Sequence, residues 1–465
     1  MKITTHTGPQ GSALLLALLT AFVICIALTT YLYLVSNQNR SVMRSLAWNS
    51  SIPVVEAGVE EALTQLNYTT VVDMDANGWG PLSADGFYHK VNDQGNGFAY
   101  DVGVKPPVAG GPDQPTIESI GYAPAPANIA SYYSSSWGMI LGGLVPQFSP
   151  DKPSAKRKIR VLAKRQTPVQ YAMLAKEQID LKGNNIGTDS FNSTNSNYST
   201  NGKYDSAKSR DKGDVATNAG LIDSLSVGNA NIRGHVSTGA GGSVAVGSNG
   251  AVGDKTWNST KTGIEPGWSA DDANVDIPDA ELPANSSFIT ASGGKYPPLT
   301  GTTYDFILTN GTYQASDFHG KVLVTGNAVL LVTSSFNFSG SDGITINPGA
   351  SLQVYVAAAS ASLGGNGVQN PGDAMSFIYY GLKSNTAVSF GGNSTFTGVI
   401  YAPYADFKLG GSGNGDYDFV GASVTKAVAL TGHFHFHYDE SLASRFPIKK
   451  YAVISWNELD PNSTN

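Results

Sequence analysis

Ala13 to Val35 reads ALLLALLTAFVICIALTTYLYLV, without a single charge. The run exceeds the roughly 20 residues a helix needs to cross a bilayer core. It also exceeds the 7–15-residue apolar centre of a cleaved secretory signal. The chain continues SNQNRSVMRSLAWNSSIPVVEAGVEEALTQLN, in which Val54, Val55, Val59, Ala62, Leu63 and Leu66 recur at helical spacing. Glu56, Glu60, Glu61 and Gln65 fall on the other faces. Ser50 or Ser51 can restart the helix, with Pro53 near its first turn. This pattern predicts one long helix over residues 12–67, bent near Pro53, whose span at 13–35 sits in lipid while its second half stands clear. At ~1.5 Å per residue it would be on the order of 80 Å long.

The rest of the chain has a different texture. Charged residues make up 14% of the 465, against roughly 25% in ordinary soluble domains. There are 53 glycines, and Asn, Ser and Thr crowd the middle and C-terminal parts. Few charges with many turn formers favour β structure over helices. The net charge of −7 gives no whole-chain reason to expect nucleic acid as a partner. The one cysteine, Cys25, lies inside the apolar run, so no intrachain disulfide and no cysteine-type zinc site exists.

Two stretches carry a family resemblance. Gly11-Ser12-Ala13-Leu14-Leu15-Leu16-Ala17-Leu18-Leu19, followed by Val55-Glu56-Ala57-Gly58-Val59-Glu60-Glu61-Ala62-Leu63, resembles the N-terminal segment of PilX-like type IV prepilins. The resemblance implies a leader over residues 1–11, cleaved by a prepilin peptidase between Gly11 and Ser12. It implies helix packing among other pilin or pseudopilin subunits, with Leu16, Glu56, Gly58, Glu60 and Glu61 on the packing surface. Ordinary pilins carry Glu at the fifth mature position, where this chain has Leu16. That departure points to a minor or tip subunit rather than a bulk one. The leader is weakly basic, with Lys2, while Arg40 and Arg44 follow the span, so charge counting does not place the N-terminus in the cytoplasm. Orientation follows from the resemblance.

Residues 68–168 carry strand signals at Gly86–Val91, Gly97–Val104, Thr116–Tyr122 and Lys156–Lys164, with a turn at Asn92–Asn96. A small antiparallel sheet covering the exposed half of the helix is the pilin-like arrangement. Lys152, Lys156, Arg157, Lys158, Arg160, Lys164 and Arg165 form the one basic cluster. The charged face of an edge strand explains it better than a nucleic-acid or acidic-polymer site.

From residue 169 to 445, short apolar triplets end in tight turns. Val388-Ser-Phe-Gly-Gly, Phe407-Lys-Leu-Gly-Gly and Val428-Ala-Leu-Thr-Gly recur roughly every 20 residues, and a second series through Tyr379, Tyr401 and Val424 interleaves with them. One coil cannot bury its apolar face; stacked coils can. The fold class is therefore mainly β: a long N-terminal helix, a small antiparallel sheet, then a right-handed parallel β-helix. A β-sandwich is the alternative. Residues 254–300, with Pro266, Pro278, Pro283, Pro297 and Pro298, read as an excursion along the side of the coils, Asn192–Asp211 as an exposed loop, and 446–465 as a tail. Tyr438–Leu442, YDESL, resembles the closing segment of β-helical domains that accompany PilX-like N-termini.

Chemistry-bearing patterns are few. His433, His435 and His437 alternate with Phe434, Phe436 and Tyr438, and Asp439 follows. On a strand the histidines share one face, a set able to bind a divalent metal, although a terminal strand showing its polar face to solvent gives the same pattern. Tyr379, Tyr401 and Tyr404 are candidates to stack on sugar rings. No paired carboxylates, nucleophile motif or phosphate loop stands out, so no enzyme activity and no cofactor is expected. The reading is a minor pilin-like component of a pilus or pseudopilus, anchored in the inner membrane before assembly and displaying its bulk periplasmically or at the cell surface. Its role would be filament priming, adhesion or scaffolding, with surface glycans as candidate partners. The alternatives are a membrane-anchored carbohydrate-binding β-helix protein and, less favoured, a polysaccharide-degrading enzyme.

Overall fold

The computed structural model describes residues 10–68, 74–107, 111–125, 154–183, 185–283, 287–298, 301–391, 396–410 and 417–461. The chain divides into two units. One is built from the N-terminal part through Arg165 together with the chain from Lys450 onward; the other is Gln166–Lys449. Lys152 of the basic cluster and most of the leader, residues 1–9, lie outside the described residues.

In the first unit, helix α1 (Gln10–Tyr68) runs without interruption through Pro53. Val54, Val55, Val59, Ala62 and Leu66 are buried and Leu63 packs against them, which is the stripe the spacing predicts. They meet an antiparallel sheet of β1 (Tyr88–Gly95), β2 (Phe98–Lys105), β3 (Thr116–Pro124) and β4 (Ser154–Gln166), with Val102, Val104, Ile117, Ile159 and Val161 on its inner face. Helix and sheet touch backbone to backbone at Gly121. A Cβ there would sit 2.8 Å from the Ser51 carbonyl oxygen and 2.9 Å from the Val55 nitrogen. Neither backbone atom can rotate away, so Gly121→Ala should push α1 off the sheet and cost about 2 kcal/mol, read as a lower denaturation midpoint of this unit.

The sheet has a fifth strand, Lys450–Leu459, next to β4. Residues 450–459 of the predicted tail are therefore part of the sheet. Tyr451 is buried in the helix–sheet core, its backbone N–H donates to the Asn67 side chain at 2.6 Å, and its hydroxyl donates to Asp113 at 2.6 Å. The second unit is thus inserted between two neighbouring strands of the first unit's sheet. This strand also occupies the basic cluster. Arg157 forms a two-pronged pair with Glu458, both contacts at 2.7 Å, and Lys158 and Arg160 both reach Glu118.

In the second unit the long series pair parallel, as stacked coils require and a sandwich of antiparallel hairpins does not. The predicted triplets are in register: Val388 faces Phe407, and Phe407 faces Val428. The interleaved series is offset by one residue from the sequence alignment. Tyr401 pairs with Val424 as expected, but with Tyr380 on its other side; Tyr379 pairs with Ile400. A one-residue slip moves a side chain to the opposite face. Tyr379 therefore points into the core against Phe336, whereas Tyr401 points outward.

The order of stacking differs from the order of the chain. Along one face, the strand at Ile289–Thr290 is followed by paired segments at 311–315, 327–332, 351–356, 377–381, 399–402 and 422–425. The next strand is Met173–Ala175, and after it come Val215, Val236 and Ser269. In chain order the second unit starts in the middle of this ladder, runs to one end of it, resumes at the other end and runs back to where it started. Those ten steps at ~4.8 Å are about 48 Å, and the 18 residues from 271 to 288 reach about 60 Å extended. The return segment is long enough to cover that distance. It is a strap narrower than the predicted 254–300, because Lys255–Thr260 is helical and Gly263–Ile264 and Ser269–Ala270 still pair with the coils.

Candidate functional site

The two halves of α1 have different surroundings. Its apolar window is wholly exposed, with Leu16 66% accessible, whereas the half carrying Val54–Leu66 is covered by the sheet. By length and composition the first half is able to cross a membrane. Gly11 and Ser12 lie within α1, whose described residues start at Gln10. Glu56 and Glu60 are exposed. Gly58 instead faces Ser119, whose hydroxyl donates to the Val55 carbonyl at 2.9 Å.

Glu61 also turns inward, accepting from the Tyr100 hydroxyl and lying 2.6 Å from Lys90 Nζ. Partial burial opposes its charge, yet Lys90 and Tyr100 hold the carboxyl below its ordinary range. Burial, and then this carboxylate, push Tyr100 up to about 12. Glu61→Gln should bring the Tyr100 pKa part of the way back toward 10 in an ultraviolet titration. It should cost about 1 kcal/mol, since the ion pair is partly solvated.

The tyrosines proposed to stack on sugars are occupied. Tyr379 and Tyr401 are fully buried. The Tyr379 hydroxyl donates to Asn385 at 3.0 Å and that of Tyr401 to the Pro278 carbonyl at 2.6 Å. Tyr404 donates to Asp279 at 2.6 Å, and Asp279 also pairs with Lys383 at 2.8 Å. Tyr355, Tyr380 and Tyr401 form an outward ladder, and the strap and Phe446 close over its Tyr401 end. The sequence aligns these rings but does not show what covers them.

The histidine strand, Phe434–Asp439, buries Phe434, Phe436 and Tyr438, the face the alternation predicts. The opposite face departs from the metal reading. His437 is buried, with Nδ1 2.5 Å from Asp189 Oδ1, Nε2 3.4 Å from Asp418, and its ring stacked 3.6 Å from that of Tyr204. Burial opposes its charge, but the two carboxylates raise its pKa above the ordinary value. Asp189 also meets Arg233 at 3.3 Å. Asp439 accepts from the backbone N–H groups of Ser193 and Ser441 at 3.1 and 3.0 Å. His433 precedes the strand, and the His435 and His437 rings are 6.3 Å apart. Among the described residues no group of three His, Cys, Asp or Glu is placed to hold a metal ion.

The arrangement is a latch. Phe434–Asp439 ends the second spiral and pairs with Gly187–Phe191 of the first, so His437–Asp189 and Arg210–Glu440 join segments more than 200 residues apart. The segment Asn192–Asp211 lies over it, through Tyr204 and a bridge from Ser190 to Arg210, and is not simply an exposed loop. Sequence reasoning found His437 but neither its acids nor Arg233. Sequence reasoning also did not find a groove beside Val368–Gln369.

A family described as Domain of unknown function (DUF7305) matches residues 278–445, the stretch from the strap through the second spiral. No curated protein matches. Among solved structures, the competence-associated pilin ComZ from Thermus thermophilus is 10% identical over 89% of this chain and 98% of that one, with a TM-score of 0.20. That score is too low to bear on fold or function.

Proposed function

We propose that this chain is a minor type IV pilin-like, PilX-like component of a pilus or pseudopilus. Its apolar half-helix packs with the helices of other subunits, and its coil stack is a right-handed β-helix displayed outside the cell. The observation that carries the reading is the division of α1: one half apolar and bare, the other held under an antiparallel sheet. A bare apolar rod of this length needs lipid or like rods around it. The inserted coils are then what the anchored unit carries and are not part of the anchor. The role is structural, in filament priming, adhesion or scaffolding, and requires neither catalysis nor a cofactor. Prepilin peptidase, acting between Gly11 and Ser12, is the processing partner, and the inner membrane holds the subunit before assembly. The test is the N-terminal sequence of the mature membrane-associated protein. A start at Ser12 supports the reading; an intact Met1, or loss of the whole apolar run, overturns it.

A further inference from the structure

The coil stack has one face whose ladder is broken. Phe306–Leu308, Lys321–Val324, Gly343–Ile346 and Val368–Gln369 pair in sequence, and among the described residues no further strand joins that ladder. The next strand on that face begins at Phe396 and belongs to the other sheet. The side chain of Asn370 bridges the break, its amide donating to the Thr397 carbonyl at 3.0 Å and the Asp373 carbonyl at 2.8 Å. At the break lies an open groove of about 650 Å³. Its polar wall is Thr345, Asn347, Asn366, Gln369, Asn370 and Thr397, and none of its lining residues is charged.

The Asn370 amide is taken up by Thr397, Asp373 and Gly372, and that of Asn366 donates to Ser341 at 3.1 Å, so the donors and acceptors turned to the groove are chiefly the amides of Asn347 and Gln369 beside the Thr345 and Thr397 hydroxyls. Such a lining suits a ligand that donates and accepts in turn and carries no net charge. The backbone at the break is already bridged by Asn370, so an added peptide strand would find its hydrogen bonds partly taken. The Pro348 and Pro371 rings give the groove flat aliphatic patches, suited to the C–H face of a sugar ring. The amide of Asn347 has no hydrogen-bond partner among the described residues, and Gln369 is exposed with only a 3.4 Å contact to Thr345. Both are free to serve a ligand.

We propose that this groove binds a neutral saccharide. The proposal extends the display reading by naming what the coils meet, and its test does not depend on how the N-terminus is processed. Full-length protein in detergent is applied to an array of neutral and acidic oligosaccharides, beside the Asn347→Ala/Gln369→Ala variant, with melting curves for both. The expected result is retention on neutral glycans alone, weakened at least tenfold in the variant, with an unchanged melting temperature. Binding to no glycan, equal binding to acidic ones, or a variant that binds like the parent would each overturn it. Should the double variant melt early, Gln369→Glu serves in its place: a charge at the rim should weaken neutral-glycan retention by a similar factor, and unchanged retention counts against the site.

Discussion

Replacing His437 by alanine is expected to cost the coil stack about 3 kcal/mol, because it leaves Asp189 buried without its closest partner. Arg233 and Tyr204 remain on that carboxylate, which keeps the effect at the low end for a broken buried pair. Hydrogen exchange at the amides of 187–191 and 434–439 should quicken by on the order of a hundredfold, since each 1.4 kcal/mol is tenfold. The effect should also depend on pH. The folded chain holds the His437 proton more tightly than the ordinary value of 6.5 implies. Its contribution is therefore complete below about pH 6.5 and fades as pH rises through the folded value. Asp418, held low first by His437, works in the opposite sense, and its share is lost only as pH falls below the carboxylate range. Around neutrality the histidine alone sets the slope. The gap between parent and variant should narrow from pH 6 to pH 9; a gap that stays constant would show that the ring acts by packing and not by charge.

The contrast between what was legible and what was not follows chain distance. The buried stripe of α1 was readable because a 3.6-residue period is a local property, and Val54 to Leu66 carry it without a break. The triplets Val388, Phe407 and Val428 were readable because stacked coils repeat at short intervals. The fifth strand of the first sheet was not readable. Lys450–Leu459 alternates weakly, and its neighbour β4 ends at Gln166, on the far side of the whole inserted unit. The stacking order failed for the same reason, since nothing local to Met173 says that its neighbour is Ser423. At the candidate sites, residue types were visible but their surroundings were not. His437 and Tyr401 are ligand-like in sequence, and each is satisfied by a segment more than 100 residues away.

Tyr401→Ala should be the most damaging single change in the strap region, costing about 4 kcal/mol, in the range for emptying a buried aromatic position. The ring fills the space between Tyr380 and Phe446, and its hydroxyl pins Pro278. Tyr401→Phe keeps the packing and loses one hydrogen bond, so about 1 kcal/mol is expected. The two variants separate filling from pinning. A protease specific for glutamate should cut after the exposed Glu281 faster in both, because Pro278 is released in both, but only the alanine variant should lose the coils around it. Cutting the strap in the parent protein should have a third outcome. The spirals remain joined at Phe434–Asp439 against Gly187–Phe191 and at Ser423–Thr425 against Met173–Ala175, so the nicked chain should run as one particle on a sizing column. If the nicked parent falls into two pieces, the strap and not the latch is what holds the spirals together, and the small effect expected for Tyr401→Phe would have to be revised upward.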